Sequence, residues 1–187
     1  RLPMVPADRA LSPPPAEHRV GAVLALFYPD GDDLKVILLR RPSTMRNHAG
    51  QITFPGGKQD EGETLEQTAL RETWEEIGIP AEQVTVVGRI DPLYIPPSNF
   101  YVHCFVAWID REPECVPSEA EVSEIYKVSW THFLGEANRG RDDIDVGIGR
   151  KISVPFFTLN EHRIWGATST MLAELAHRID LVRSANS

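Results

Sequence analysis

The clearest periodic stretch of the chain lies between residues 65 and 77, where apolar positions recur at helical spacing. These positions are 65, 69, 70, 73, 74 and 77, and intervals of three and four residues place them on one face of a helix. Thr64 precedes the first of them and Gln67 lies three residues later, which is the spacing of a capping box. Gly78 follows the last one, where glycine commonly ends a helix. The pattern predicts an amphipathic helix over residues 65–77.

Apolar runs of strand length recur on both sides of this helix. We expect strands at residues 20–28, 34–39, 52–54, 82–91, 101–109, 122–128, 152–159 and 162–165. Turn residues at 30–33 and at Asn160 predict two hairpins. Two further helices are expected, a short one capped by Ser129 or Thr131 that reaches Ala137 and an amphipathic one at 167–182. Irregular segments are expected at 1–17, 94–100, 110–121 and, as a mobile surface loop, 139–150.

Strands before and after a central helix, followed by a closing helix, indicate an α/β or α+β layered domain. The length of 187 residues suits one compact domain, and no stretch has the composition of a linker between domains. We therefore predict a proline-rich N-terminal arm at 1–17 and a single domain at 18–187.

Composition narrows the class of protein. Apolar residues make up 42% of the chain and charged residues 25%, with a formal net charge of −8. An acidic chain without basic tracts is a poor nucleic-acid binder, and no apolar run reaches the roughly 18 residues of a membrane span. No signal-peptide pattern is visible, and two cysteines are too few for a disulfide framework. We expect a cytoplasmic protein that binds neither nucleic acid nor membrane, with a homodimer among the expected assemblies.

Three acids, Glu72, Glu75 and Glu76, fall within an arc of about 100° beside the apolar face of the predicted helix. Acids near a helix C-terminus cost about 0.3–1 kcal/mol each, and like charges four residues apart repel each other. One interpretation is that Arg71 and water solvate these acids. The glycine pair at 56–57 favours another, because a divalent cation binds several carboxylate oxygens and often a backbone carbonyl, which glycine allows to approach closely.

The spacing of these residues resembles the Nudix box. Gly57 is followed after five residues by Glu63, and after seven more by the run RETWEEIGI at 71–79. Thr73 departs from the pattern, which prefers a bulky aliphatic residue there, and this affects packing more than chemistry. The resemblance implies the Nudix fold, a mixed β-sheet sandwiched between α-helices, and a pyrophosphohydrolase that uses Mg²⁺ or Mn²⁺.

The segment before the box is similar to the signature of the coenzyme A pyrophosphatase branch of that family. The matching residues are Arg41, Arg46, Gly50 and the run FPGG at 54–57. Leu39 and Pro42 depart from the signature, which has Thr at the first of these positions and Ser or Ala at the second. The two motifs together cover about residues 37–79.

The resemblance implies roles for individual residues. The metal ligands would be one backbone carbonyl and three carboxylates, those of Gly57, Glu72, Glu75 and Glu76. The catalytic residues would be Glu75, Glu76 and Glu121. One acid would act as general base on the attacking water, and we favour Glu121, for which an exposed loop glutamate is the alternative interpretation. Glu63 and Arg71 would form a structural pair that orients the ligands.

Four residues are candidates for substrate binding: Arg41, Arg46, Gly56 and Phe100. Guanidinium groups match phosphate oxygens, although each arginine could instead be an ordinary surface charge. Phe100 could stack on a base, with a core or rim position as the alternative.

The implied reaction is metal-dependent hydrolysis of coenzyme A or its derivatives to 4′-phosphopantetheine and adenosine 3′,5′-bisphosphate. The same chemistry on ADP-ribose or a dinucleoside polyphosphate is the nearest alternative. A non-catalytic nucleotide-binding module on the same scaffold is a third. RNA processing is disfavoured, because the chain is acidic and lacks a basic stripe.

Overall fold

The computed structural model describes residues 14–44, 49–145 and 151–185. The described chain forms two compact units, one of residues 14–130 and one that begins at Thr131, and each is described by itself. Most of the predicted arm, Arg46 and residues 146–150 lie outside the described residues. The prediction of a single domain at 18–187 stays a prediction.

Eight strands of the described chain form one mixed sheet in the first unit. They are β1 Arg19–Asp30, β2 Asp33–Arg40, β3 Ile52–Thr53, β4 Gly56–Lys58, β5 Thr85–Arg89, β6 Leu93–Ile95, β7 Phe100–Trp108 and β8 Glu124–Ser129. The main path of the sheet is β3-β2-β1-β7-β5, while β4 pairs with β1, β6 with β7 and β8 with β2. β1 and β7 are parallel, whereas the β1–β2 and β1–β4 pairs are antiparallel.

The core of the first unit forms where helix α1, Leu65–Ile77, packs on the sheet. Alternate residues of β1 point to one face of the sheet, and Ala22, Leu24 and Leu26 from that face are fully buried in one cluster with Ala69 and Ile77 of α1. This packing fixes α1 beside β1 and β4, so the acidic residues of its last turns lie against the glycine turn.

Helix α1 is capped at both ends as its sequence predicts. The Thr64 hydroxyl accepts a hydrogen bond from the Gln67 amide at 3.2 Å, and the Gln67 side chain accepts one from the Thr64 amide at 2.8 Å. Gly78 has a φ of 72° and donates its amide hydrogen to the Trp74 carbonyl. The side chain of Trp74, predicted on the apolar face, is instead 57% exposed, while Thr73 beside it is fully buried. The hydroxyl of Thr73 donates to the Ala69 carbonyl at 2.7 Å, so this polar group is buried with a hydrogen-bond partner.

In the second unit, three described strands and two helices pack together. They are α2 Thr131–Leu134, β9 Arg139–Asp145, β10 Lys151–Leu159, β11 His162–Trp165 and α3 Gly166–Ala185. The strands form an antiparallel sheet in the order β11-β10-β9. Asn160 has a φ of 52° at the turn between β10 and β11, so the predicted hairpin is confirmed. Phe157 and Ile164 are fully buried in this unit.

Several predicted segments differ from the observed ones. The prediction of a mobile loop at 139–150 is wrong for residues 139–145, which form the strand β9. These residues are glycine-rich and charged, and they form a strand because they pair with β10. The loop expected at 94–100 contains the end of β6 and a 3₁₀ turn at Pro96–Ser98. Proline sets the backbone angle that starts such a turn. The strand expected at 82–91 is shortened to β5 by a 3₁₀ turn at Ala81–Gln83. Apart from these differences, the α+β class with a mixed sheet is confirmed.

No helix in the part of the chain that the structure describes has both the length and the apolar character needed to cross a membrane.

Replacing the N-cap of α1 tests how far the helix depends on its local cap. We expect Thr64→Ala to lower the free energy of unfolding by about 1 kcal/mol, because the Gln67 amide loses its acceptor. Urea unfolding followed by circular dichroism measures the change. Thr85→Ala, at an exposed position of β5, is the control. Equal stability of the Thr64 variant and the wild-type protein would contradict the capping role.

Candidate active site

Glu76 lies in the last turn of α1 and is 2% exposed. Its Oε2 accepts a hydrogen bond from the Gly56 amide at 2.9 Å, and Nη2 of Arg41 donates to its Oε1 at 3.3 Å. The pKa of Glu76 is raised to about 7, chiefly by burial and also by the charges of Glu72 and Glu121, against the opposing effects of the Gly56 hydrogen bond and the Arg41 charge. The carboxylate of Glu76 is therefore costly to ionise, and one amide and one guanidinium support it.

Glu72 approaches the backbone of the glycine turn. A Cβ atom at residue 57 would lie 2.4 Å from the carboxyl carbon of Glu72, so the lack of a side chain at Gly57 provides the space that the carboxylate occupies. Burial raises the pKa of Glu72, Arg71 opposes this effect, and the charges of Glu75 and Glu121 add to it. Residues 57 and 72 thus form a close backbone–carboxylate contact at the middle residue of β4.

Arg71 is the centre of the ion pairs around these acids. Its Nε lies 2.6 Å from Oε1 of Glu63, and its Nη1 lies 3.0 Å from Oε1 of Glu72 and 2.8 Å from Oε2 of Glu75. Its Nη2 also donates to the Lys58 carbonyl at 3.2 Å. The Glu63 contact joins the loop after β4 to α1, and the other two contacts hold the carboxylates of Glu72 and Glu75.

Glu121 reaches the site from the segment between β7 and β8, which is attached to the end of α1. The amide of Val116 donates to the Ile77 carbonyl at 2.8 Å, and the amide of Ser118 donates to the Glu76 carbonyl at 2.9 Å. These bonds satisfy helix carbonyls that have no partner within a helix end. The Glu121 amide donates to the Ser118 carbonyl at 3.1 Å. The segment therefore brings the charge of Glu121 close enough to raise the pKa of Glu72 and Glu76.

The donor set suits a hard divalent cation, since it consists of carboxylate and carbonyl oxygens. Within residues 14–44, 49–145 and 151–185, however, no three Asp, Glu, His or Cys side chains are arranged to hold a metal ion. Arg71 accounts for part of this, because its guanidinium binds Glu72 and Glu75. Burial is the largest cause of the raised pKa of Glu72 and Glu76, and added positive charge would favour the ionised forms of both carboxyls. The chemistry of the donor oxygens fits a metal ion, whereas their positions do not form a three-ligand group among the described residues. The role of these residues as ligands stays a prediction.

The predicted substrate-binding residues that the structure describes lie on separate segments of the first unit. Arg41 contacts Glu76 and the Gly56 carbonyl, the latter at 3.4 Å. Phe100 is partly exposed at the start of β7, and Arg46 lies outside the described residues. The binding roles of all four stay predictions.

Sequence reasoning missed Gly21, which is in β1. A Cβ atom there would lie 2.5 Å from the carbonyl oxygen of Gly57 and 3.3 Å from Cε1 of Phe100. The available signal was a glycine inside an otherwise apolar strand, which often marks close approach of another backbone. Gly21 thus lets the Gly57 carbonyl and the Phe100 ring approach the same point.

A protein-family model matches the part of the chain that contains α1, the glycine turn and the carboxylates. The model described as NUDIX domain matches residues 17–143. The chain therefore belongs to the Nudix family, and this membership supports pyrophosphohydrolase activity on a nucleoside diphosphate derivative.

Individual relatives support the same family. The chain is 33% identical over 147 residues to the uncharacterized Nudix hydrolase NudL of Photorhabdus laumondii, covering 78% of each protein. It is 31% identical to the chloroplastic Nudix hydrolase 22 of Arabidopsis thaliana, over 84% of this chain but only 54% of that protein. Among solved structures, the Nudix hydrolase RenU of M. smegmatis matches with a TM-score of 0.53 and 28% identity, over 62% of this chain and 73% of that one. None of these three names specifies a substrate.

The ion pair between Glu63 and Arg71 predicts a pH-dependent contribution to stability. The hydrogen bond from Arg71 lowers the pKa of Glu63 from 4.5 to about 2. A carboxyl with a lowered pKa stabilises the folded state above its unfolded pKa, and this contribution is lost as the pH falls towards the folded value. We expect Glu63→Gln to be less stable than wild type at pH 7, with the difference narrowing below about pH 4.5.

Urea unfolding of both proteins at pH 7, 5, 4 and 3.5 measures this difference. Glu66→Gln, an exposed acid on the same helix, controls for the loss of one charge. A difference between wild type and Glu63→Gln that is the same at every pH would contradict the assignment.

Proposed function

We propose that the chain hydrolyses the pyrophosphate bond of coenzyme A and its derivatives, giving 4′-phosphopantetheine and adenosine 3′,5′-bisphosphate. The observation that carries this proposal is the packing of Glu72 and Glu76 against the glycine turn at residues 56–57, where burial and the nearby charge of Glu121 raise the pKa of both carboxyls. A cation bound beside these carboxylates favours their ionised forms, and it can also stabilise the negative charge of a diphosphate.

The coenzyme A assignment rests on the signature before the Nudix box. Residues of that signature belong to the same site, because Arg41 contacts both Glu76 and the Gly56 carbonyl. The Arg41 amide also donates to the Gln51 carbonyl at 3.0 Å, and the Gly50 amide donates to the Arg41 carbonyl at 3.1 Å. These contacts support a role for the signature at the reacting centre. We propose that substrate phosphates bind at Arg41, Arg46 and Gly56, with Phe100 beside them.

Nudix hydrolases generally use divalent cations, and we propose Mg²⁺ or Mn²⁺ here. The residues that would hold the metal are Gly57, through its carbonyl, and Glu72, Glu75 and Glu76. When bound, such an ion supplies Lewis-acid stabilisation of the phosphate oxygens and lowers the pKa of a coordinated water.

The protein groups would then act as follows. Glu121 accepts the proton of the attacking water, and the Ser118 carbonyl holds the backbone amide of Glu121 in place. Arg71 orients Glu72 and Glu75 through its two contacts with them. Glu63 in turn fixes the guanidinium of Arg71.

Neutralising the acids tests their catalytic role. We expect Glu75→Gln and Glu76→Gln each to lower kcat by about 100-fold or more, because a lost metal ligand or base removes stabilisation of the transition state. Steady-state assays with coenzyme A and saturating Mg²⁺ measure the loss. Circular dichroism checks that α1 is intact.

Glu66→Gln is the matched control for these variants, because it removes one acid from an exposed position in the first turn of the same helix. Its activity is expected to equal that of wild type. Full turnover in both the Glu75 and Glu76 variants would refute the proposed metal site.

Leu39 and Pro42 depart from the coenzyme A signature, so ADP-ribose or a dinucleoside polyphosphate is the first alternative substrate. A module that binds a nucleotide without turnover is the second alternative, and the intact set of Glu72, Glu75 and Glu76 argues against it.

A substrate panel separates the three functions. We expect the wild-type protein with Mg²⁺ or Mn²⁺ to cleave coenzyme A faster than ADP-ribose or diadenosine tetraphosphate, and mass spectrometry identifies the products. Assays with a chelator in place of the metal are the control. Preferential cleavage of another substrate would support the first alternative, and binding without cleavage of any substrate would support the second.

A further inference from the structure

Arg19 is the first residue of β1, and it belongs neither to the Nudix box nor to the signature that precedes the box. Its guanidinium carbon lies 4.6 Å from the centroid of the Phe100 ring. Its Nη2 donates to the Ser98 carbonyl, and its backbone amide donates to the Asn99 carbonyl at 2.8 Å. The side chain is exposed, and within the described residues its guanidinium contacts no carboxylate.

The position of Phe100 places this arginine beside the candidate active site. Cε1 of Phe100 and the carbonyl oxygen of Gly57 lie 3.3 Å and 2.5 Å from one point, the position that a Cβ atom of Gly21 would occupy. Gly57 is the residue whose carbonyl is proposed to help hold the metal. The stacked pair of Arg19 and Phe100 therefore lies next to the backbone of the glycine turn.

Two arginines at the site are already engaged with acids. Arg71 contacts Glu63, Glu72 and Glu75, and Arg41 contacts Glu76. A substrate with several phosphate charges approaches a surface in which carboxylates outnumber these cations. A further cation at the edge of the site would lower the electrostatic cost of that approach.

We propose that Arg19 binds a phosphate group of the substrate and that Phe100 holds its guanidinium plane. The face of a guanidinium can stack on an aromatic ring while its N–H donors at the edge pair with phosphate oxygens. The inference rests on the proposed function, since the phosphate belongs to the diphosphate substrate. That phosphate is either part of the cleaved diphosphate or a separate phosphate such as the 3′-phosphate of coenzyme A.

Kinetics of Arg19→Gln with coenzyme A and dephospho-coenzyme A test the proposal. We expect KM to rise about tenfold or more, because a charge-assisted contact is lost, while kcat changes less than about twofold. A rise with coenzyme A alone would assign Arg19 to the 3′-phosphate, and a rise with both substrates would assign it to the diphosphate. Arg19→Lys is expected to restore part of the affinity, since it keeps the charge. An unchanged KM for both substrates would overturn the proposal.

A second measurement separates binding from a structural role. Arg163→Gln is the matched control, because Arg163 also lies 4.6 Å above a phenylalanine ring, that of Phe156 in the second unit. This control is expected to leave KM unchanged. A fall in melting temperature of Arg19→Gln that Arg19→Lys does not reverse, together with equal losses of kcat and kcat/KM, would show that Arg19 only holds the Ser98 loop.

Calorimetry with adenosine 3′,5′-bisphosphate distinguishes failure of this inference from failure of the proposed function. Binding of this probe does not require hydrolysis, and we expect Arg19→Gln to bind it about tenfold more weakly than wild type. If the wild-type protein cleaves no diphosphate but shows this difference in binding, the proposed function fails and the role of Arg19 stands. If cleavage is normal and the variant matches wild type in both assays, the role of Arg19 alone fails.

Discussion

Repulsion among partly buried carboxylates is the constraint that the rest of the site accommodates. Burial is the largest cause of the raised pKa of Glu72 and Glu76, and the charge of Glu121 adds to both shifts. The folded chain offsets part of both shifts with two guanidinium groups and one backbone amide, from Arg41, Arg71 and Gly56. Breaking a fully buried ion pair costs about 3–5 kcal/mol, and the cost here is smaller because the side chains of Arg41 and Arg71 are 21% and 24% exposed. The arginines therefore supply part of the positive charge that ionisation of these buried carboxyls requires.

Backbone geometry makes this concentration of charge possible. Gly57 leaves the space that the Glu72 carboxylate occupies, and Gly21 leaves the space into which the Gly57 carbonyl projects. The Pro55 carbonyl accepts the Leu24 amide at 2.9 Å, which joins the glycine turn to the central strand of the sheet. A side chain at Gly21 would push the backbone of Gly57 away from β1, and a side chain at Gly57 would displace the Glu72 carboxylate. The site thus depends on close approach of backbone segments as much as on the acids themselves.

Much of the first unit could be predicted from local signals. The capping pair of Thr64 and Gln67 and the stop at Gly78 define α1, since each is a contact within a few residues. Long apolar runs identify β1, β2 and β7. The strand β9 could not be found, because its charged and glycine-rich residues become a strand only through pairing with β10.

Some residues of the candidate site could likewise be predicted from local sequence, and others could not. The acids of α1 are evident from their spacing, and the Glu63–Arg71 contact follows from the same motif. The contact of Arg41 with Glu76 and the positions of Arg19 and Gly21 depend on long-range packing, which no local pattern reports.

The attachment of the 116–118 segment to the end of α1 has a further consequence for motion. Two backbone hydrogen bonds, to the carbonyls of Glu76 and Ile77, connect the segment that carries Glu121 to the helix. Breaking these two bonds alone would leave Glu121 in place, because Val122 beside it is buried in the core cluster and the Ser123 amide donates to the Arg40 carbonyl at 2.9 Å. Opening that separates Glu121 from the acids of α1 must also expose part of the core, which raises its free-energy cost above that of loosening residues 116–118.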